Sequence, residues 1–441
     1  MQRIVVWILL VLAAGEFTLR GPVRYLHPTN WNDLAQYYAT SRIWLRGQNF
    51  ANSEYFARMW RDEVGETFSS NTPRMRTAPP LGALVIFAPI AIMPWPVAKL
   101  LWFVVLLAGF GATVGSLIGA RRLDPYKPRG MLFIAGCLAL APFHTGIASG
   151  NQTILVVGLC AFGIWAAKVD CDLLAGLSFG IACSLKPHIA AFLVLYYIAR
   201  QRWRLFLTAV GVTAALVLLA VAWMHFAGVN WLPDYVSNIR FGAARNKVDD
   251  FTSANQIRFT LINLQVPFYS FTQSAKSANL LAFSVGASLL LVWLVLVIRK
   301  RAVSSELLSL ATVAVIGLLP LYHRLYDASV LAIPLCWCLT RPEALKRISQ
   351  IALLLMAAFL LPGASVLQQA AHHGGIPDAW THSLWWQGFV MPHQTWILLS
   401  LSVVLLYGMA KARQIQPNGS SRSNNLQLPS DPFYDERKAL T

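Results

Sequence analysis

The chain has 441 residues, 56% of them hydrophobic and only 12% charged, with a mean hydropathy of +0.52. Soluble domains carry about a quarter charged residues, so the composition excludes an ordinary soluble protein and points to a multi-pass membrane protein. The net charge of +17, from 36 Lys and Arg against 19 Asp and Glu, falls mostly between apolar runs. There the positive-inside bias and anionic lipids account for it, and nucleic acid is not expected as a partner.

The first apolar run, Ile4 to Leu19, follows Arg3 and lacks a small-residue cleavage site. It reads as a retained helix rather than a removed signal peptide. A polar outer loop, 20–77, comes next and contains Asn30-Trp31-Asn32-Asp33-Leu34-Ala35-Gln36-Tyr37-Tyr38. Asp33 is expected to open a helix that runs to Arg46 and ends at Gly47, an acid suiting the positive end of the helix dipole. The remainder of this loop mixes Arg42, Arg46, Arg58 and Arg61 with Glu54, Asp62, Glu63 and Glu66. Pro79-Pro80 then starts a piece that stops at Met93 before Pro94-Trp95-Pro96; it is short for a crossing and reads as re-entrant or interfacial.

Crossings are expected at Val97–Ala120, Met131–Thr145, Thr153–Ala167, Leu173–Leu185, Ile189–Ala199 and Leu205–Trp223. After an outer loop, 224–276, further ones are expected at Ser277–Ile298, Glu306–Leu319, Ala328–Leu339, Ile348–Leu361 and Gln394–Ala410. The last two are separated by an aromatic outer loop, 362–393. With the first run this makes an all-α polytopic bundle of about twelve transmembrane helices, residues 1–413. A polar tail, 414–441, is expected to be disordered and cytoplasmic. The six cysteines lie mainly in apolar runs, and Cys336-Trp-Cys338 has the wrong spacing for a C-x-x-C site.

Basic joints at Arg121-Arg122 with Lys127 and Arg129, at Arg200 to Arg204, at Arg299-Lys300-Arg301, at Arg341 with Lys346-Arg347, and at Lys411 with Arg413 mark the cytoplasmic side. That orientation puts both termini inside. It gives the outer side Asp33, Pro79-Pro80, Gly150-Asn151-Gln152, Lys186-Pro187-His188, Asn255-Gln256, and His323-Arg324 with Asp327. Each has a plain reading. Asp33 caps a helix, Lys186 snorkels to the interface, Arg324 and Asp327 pair at a helix start, and Asn151 and Gln152 form a turn. His323 and Asp327 also offer metal-ligand atoms, but no metal-binding spacing supports a site. His372-His373, Trp380, Trp385 and Trp386 read as an interfacial aromatic belt. Ionisable groups at membrane depth are costly and usually functional, which favours a site where these segments meet. A carboxylate near the membrane surface, opposed by Lys, Arg and His, suits transfer from a lipid-linked donor: the carboxylate takes a hydroxyl proton and the cations hold a departing phosphate. No segment is long enough to form a soluble nucleotide-sugar domain.

The pattern resembles the C-type integral-membrane glycosyltransferases, and most closely glycosyltransferase family 87, the polyprenyl-phosphate-mannose-dependent group. The resemblance rests on Asp33 with Tyr37, Pro79-Pro80-Leu81, Ser149-Gly150-Asn151-Gln152, Ala175-Gly176, Leu185-Lys186-Pro187, Asn255-Gln256, and Tyr322-His323-Arg324-Leu325-Tyr326-Asp327. It spans about Asp33 to Pro334. It implies Asp33 as general base, His323 as a catalytic partner, Arg324 and Lys186 on the phosphate, and Asn151 and Gln152 near the donor. Tyr37, Asn255, Gln256 and Asp327 are the further donor-binding candidates. Two departures concern the acceptor: 52–76 lacks the family's Pro-Tyr-like run, and Ile257 stands where a Ser is usual.

The resemblance also implies inversion at the anomeric carbon without an obligatory metal, and no cofactor is expected. The expected activity is transfer of a hexose, mannose foremost, from a polyprenyl-phosphate donor to an extracytoplasmic lipid or glycan acceptor at the plasma (inner) membrane. A ligase or polymerase of lipid-linked glycans is the nearest alternative. A transporter or flippase is the alternative from another class, disfavoured because no repeated halves are visible.

Overall fold

The computed structural model describes residues 2–27, 33–65, 77–242, 244, 247, 249–299 and 306–412. The expected tail, 414–441, lies outside the described residues, as do Asn30-Trp31-Asn32, Glu66 with the rest of 66–76, the basic pair Lys300-Arg301, and Arg413.

Among the described residues the chain is helical, and its one strand-like feature is an isolated antiparallel bridge between Leu261 and Arg324. Five helices are long and apolar enough to cross a membrane: Arg3–Leu26, Trp95–Arg121, Trp203–Phe226, Ala275–Arg299 and His393–Ala412. Two bent pairs raise the number to seven, so length and composition support five to seven crossings where about twelve are expected from the apolar runs. The difference has a physical source. The other expected crossings are helices, but Thr153–Lys168, Asp172–Leu185, Pro187–Ala199 and Glu306–Gly317 have only 16, 14, 13 and 12 residues. At 1.5 Å per residue they reach about 18–24 Å, short of the roughly 30 Å hydrocarbon layer.

The two classes of helix bury differently. In the first four long helices only 17–28% of the apolar window is buried, leaving most of it to face lipid. Every residue from Leu307 to Gly317 is buried, so that short helix sits at the centre of the bundle. The Glu306–Gly317 helix is thus walled in by its neighbours.

The first long helix carries apolar structure to Leu26, past the expected loop start at Arg20. The expected Asp33–Arg46 helix is present as Asp33–Leu45, with Gly47 at φ +64° closing it. The expected short piece after Pro79-Pro80 is the eleven-residue Leu81–Ala91 helix. The expected Met131–Thr145 crossing bends by 48° between Pro128–Ala139 and Ala141–Ala148. Pro142 has no N–H to give the Leu138 carbonyl, and the His144 ring nitrogen contacts that oxygen instead.

Two glycines let two helices of the bundle approach closely. A Cβ on Gly158 would lie 2.4 Å from the Gly109 carbonyl oxygen, so the Trp95–Arg121 and Thr153–Lys168 helices touch backbone to backbone.

At one end of the bundle the basic joints meet. Arg121 donates to the Thr340 hydroxyl (3.1 Å) and carbonyl (3.1 Å), and Arg202 pairs with Asp172 and with Asp170 (3.2 Å). From the Arg202 end the Asp172–Leu185 and Pro187–Ala199 helices converge on a single connecting residue, Lys186. Lys186 is therefore carried to the opposite end, at the tip of two short helices.

Candidate active site

The site is assembled from four parts of the chain at that opposite end. The first is the turn before the Thr153–Lys168 helix. Gly150 adopts φ +68°, and its carbonyl accepts from Trp102 Nε1 (2.8 Å). Asn151 turns its carbonyl oxygen onto the Thr153 amide (2.9 Å) and hydroxyl (2.7 Å), satisfying the helix start. Its amide nitrogen is left to donate to Asp33 Oδ2 (2.7 Å).

Asp33, the first residue of its helix, is also held by its backbone amide, which donates to the Ser149 carbonyl (2.6 Å). Gln152 donates to the Tyr37 hydroxyl (2.7 Å) and the Leu185 carbonyl (2.9 Å), tying the Asp33 helix to the Lys186 corner. Tyr37 in turn stacks on Phe87 of the Leu81–Ala91 helix at 4.7 Å.

Lys186 is the third part. It is only 7% exposed, and its ammonium reaches the Thr153 hydroxyl (2.7 Å), the Asp327 carboxylate and the face of Tyr326 (4.7 Å). Snorkelling, the plain reading of Lys186, does not describe this side chain. The fourth part is the segment 322–327. Asp327 is fully buried, and its Oδ2 accepts from the Arg324 backbone amide (3.0 Å) and faces His323 Nδ1 (3.2 Å).

Asp327 therefore pairs with a lysine 141 residues away, while Arg324 donates from Nε to the Tyr322 hydroxyl (2.6 Å). Simple pairing of Arg324 with Asp327 is not what holds this segment. A continuous path of hydrogen bonds now runs from Asp33 through Asn151 and Thr153 to Asp327 and Lys186. Two carboxylates and two cations, Lys186 and Arg324, balance in formal charge.

Asn255 and Gln256 lie elsewhere. Asn255 is buried in its own loop, its amide bonded to the Asp250 carbonyl (2.7 Å) and its oxygen to the Ile257 amide (3.1 Å). Gln256 is exposed, and its carbonyl accepts from Gln368 (3.3 Å). Among the described residues neither bonds to the Asp33–Asp327 cluster. Asn255 satisfies its own loop, and Gln256 meets the Gly363–His372 helix.

Four residues join the site without having been site candidates: Thr153, His188, Tyr322 and Tyr326. Thr153 stands next to Gln152 at a helix start, a position where a hydroxyl has reason to face inward. The His188 ring lies 4.8 Å from that of His323, and no partner among the described residues meets either Nε2. His188, His323 and Asp327 offer ligand atoms within 4.8 Å of one another, the arrangement a metal ion could use. The Lys186 ammonium already neutralises Asp327 there, so this carboxylate does not need an ion to be buried. Asp249, beside Tyr322, is pushed above the usual carboxylate range by burial, against the opposing pull of Arg324 and of a Tyr322 hydrogen bond. Tyr322 is itself pushed up, again chiefly by burial.

No curated protein matches the chain. The model of glycosyltransferase family 87 matches residues 78–322, more than half of the sequence. That interval contains Asn151, Gln152 and Lys186, stops one residue before His323, and begins after Asp33 and Tyr37. The chain belongs to glycosyltransferase family 87 and is a membrane glycosyltransferase, acting on a sugar donor and an acceptor.

Proposed function

We propose that the protein transfers a hexose, with mannose the expected sugar, from a polyprenyl-phosphate donor to an extracytoplasmic lipid or glycan acceptor. Asp33 acts as general base. The observation that carries this reading is the hydrogen-bonded path joining Asp33 to the buried Lys186–Asp327 pair, at the end of the bundle away from the basic joints. Asn151, held by Thr153, aims Asp33; an oriented carboxylate beside a cationic wall is what hydroxyl activation and phosphate departure both require.

In the transfer, the acceptor oxygen bonds to the anomeric carbon while the bond from that carbon to the phosphate oxygen breaks. The hydroxyl proton goes to Asp33, and the bonding pair leaves with the polyprenyl phosphate. The phosphate gains negative charge in this step. Arg324, half-buried and placed by Tyr322, carries most of its neutralisation, with the Lys186 ammonium and His323 completing the wall. Gln152 and Tyr37 flank the donor sugar.

The short helices then complete the five long and two bent spans to about twelve crossings, with Leu81–Ala91 not crossing. Positive joints inside support a site on the outer face of the plasma membrane.

The test is Asp33→Asn, assayed with radiolabelled polyprenyl-phospho-sugars and membrane extract. Transfer should fall by about 10²–10⁴-fold while donor affinity is kept. Retention of a tenth or more of the wild-type turnover overturns the assignment of the base.

A further inference from the structure

A basic cavity of about 250 Å³ lies against the first long helix, at the same end of the bundle as the site. Arg20 and Arg24 of that helix form one wall, and His144 and Ser149 form the other. Ser149 is the residue whose carbonyl takes the Asp33 amide (2.6 Å), so the cavity backs onto the turn that holds the site.

The charge and the depth of this wall point to one kind of ligand. A positive bias toward one side of the membrane accounts for the basic joints at the far end, and it cannot account for arginines at this end too. Arg20 gives one guanidinium nitrogen to Glu16 (2.9 Å), and 39% of its side chain is still exposed; Arg24, one turn further on, is exposed. The wall thus counts two guanidiniums and, behind Arg20, one carboxylate. At 1.5 Å per residue, Arg20 and Arg24 lie about 26 and 32 Å along the helix from Arg3, at the edge of a roughly 30 Å hydrocarbon layer. Beside them Leu19, Val23 and Leu26 are 65%, 51% and 59% exposed. The arginines are set among lipid-facing side chains at headgroup depth, where basic pockets between helices suit anionic lipids.

We propose that this cavity binds the phosphodiester of an anionic membrane phospholipid, with Arg20 and Arg24 on the phosphate and the acyl chains along the exposed Leu19 and Val23. A phosphodiester brings the single negative charge that the wall leaves unmatched, and a guanidinium fork suits its oxygens. A zwitterionic headgroup brings a further cation to two arginines and gains less. The proposal does not depend on the transfer reading.

The full chain would be placed in phosphatidylcholine nanodiscs doped with phosphatidylglycerol, or with phosphatidylcholine, carrying a photoreactive diazirine next to the headgroup. Cross-linked peptides would then be mapped by mass spectrometry. Labelling of 16–27 and 141–149 should be about fivefold or more stronger from the glycerol lipid than from the choline lipid. Arg24→Gln should cut it about fivefold, whereas Arg24→Lys should keep most of it, both with wild-type helicity and unchanged labelling at the opposite end. Equal labelling by the two lipids, or no effect of Arg24→Gln, overturns the site. Soluble glycerol phosphate and a polyprenyl phosphate within the disc serve as competitors. Displacement by the first assigns the cavity to a free anion, and displacement by the second assigns it to the donor lipid; either result overturns the phospholipid.

Discussion

Asp327 and Lys186 are buried together, at 0% and 7% exposure, and among the described residues each is the other's only opposite full charge in direct contact. Removing one partner of such a pair costs about 3–5 kcal/mol, because the survivor stays charged in a dry setting. Asp327→Asn keeps an oxygen that can accept from the Arg324 amide, so its cost is the stranded Lys186 ammonium and little else. Lys186→Met alone should cost a similar amount by stranding the carboxylate. The double variant, Lys186→Met with Asp327→Asn, strands no charge and should recover about 2–3 kcal/mol of what Asp327→Asn loses. The second substitution therefore stabilises the first. Reversible unfolding in mixed micelles, followed by tryptophan fluorescence, measures all four corners of the cycle. If Lys186→Met lowers the stability of the Asp327→Asn protein as much as that of the wild type, the two groups are independent and the pairing argument fails.

The other predictions concern packing, positioning and protonation. Gly158→Ala should destabilise by about 1–3 kcal/mol, since its methyl group would press on Gly109, whereas Gly111→Ala, with nothing within 4 Å, should not lower the unfolding midpoint. Asn151→Ala removes the side-chain donor to Asp33 Oδ2 and should cut kcat by up to about 10²-fold, with donor KM changed by no more than a few-fold; equal loss in KM would point to donor binding instead. Asp249 is raised above its ordinary value by burial, so the folded protein holds that proton more tightly than the unfolded chain does. The penalty is present above the folded pKa and fades as pH falls toward the unfolded value of 3.8. Asp249→Asn should thus raise the melting temperature near neutral pH, by a margin that shrinks on acidification; a margin independent of pH would rule out the carboxyl as its source.

The membrane class and most helix positions were legible because apolar run length is a direct reading of hydropathy. Which apolar runs face lipid was not, because a run looks alike whether it meets lipid or other helices. The wholly buried Leu307–Gly317 stretch and the lipid-facing Trp203–Phe226 helix illustrate the two cases. The gathering of Asp33, Asn151, Gln152, Lys186, His323 and Asp327 was foreseeable, since each is a polar residue at the end of an apolar run on one side of the bundle. Their pairing was not. Proximity in sequence favours Arg324 for Asp327, and only the folded chain reveals that Lys186 reaches it first. Asn255 and Gln256 form a second Asn-Gln pair, but the Asn255 amide nitrogen goes to the Asp250 carbonyl of its own loop where that of Asn151 goes to Asp33. Thr153 carries no distinguishing signal in the sequence, because a hydroxyl at a helix terminus is common everywhere.

Lys186 stands alone between two helices, with no loop to either side of it. The corner it forms meets its carboxylate only after the ribosome has made another 141 residues. Until Asp327 emerges, a nascent chain holds an unmatched ammonium in its interior, and any product cut short before that point retains most of its helices and none of its chemistry. Biogenesis of this protein should therefore show a late threshold: chains ending before residue 327 should be cleared by quality control, and those extending past it should persist.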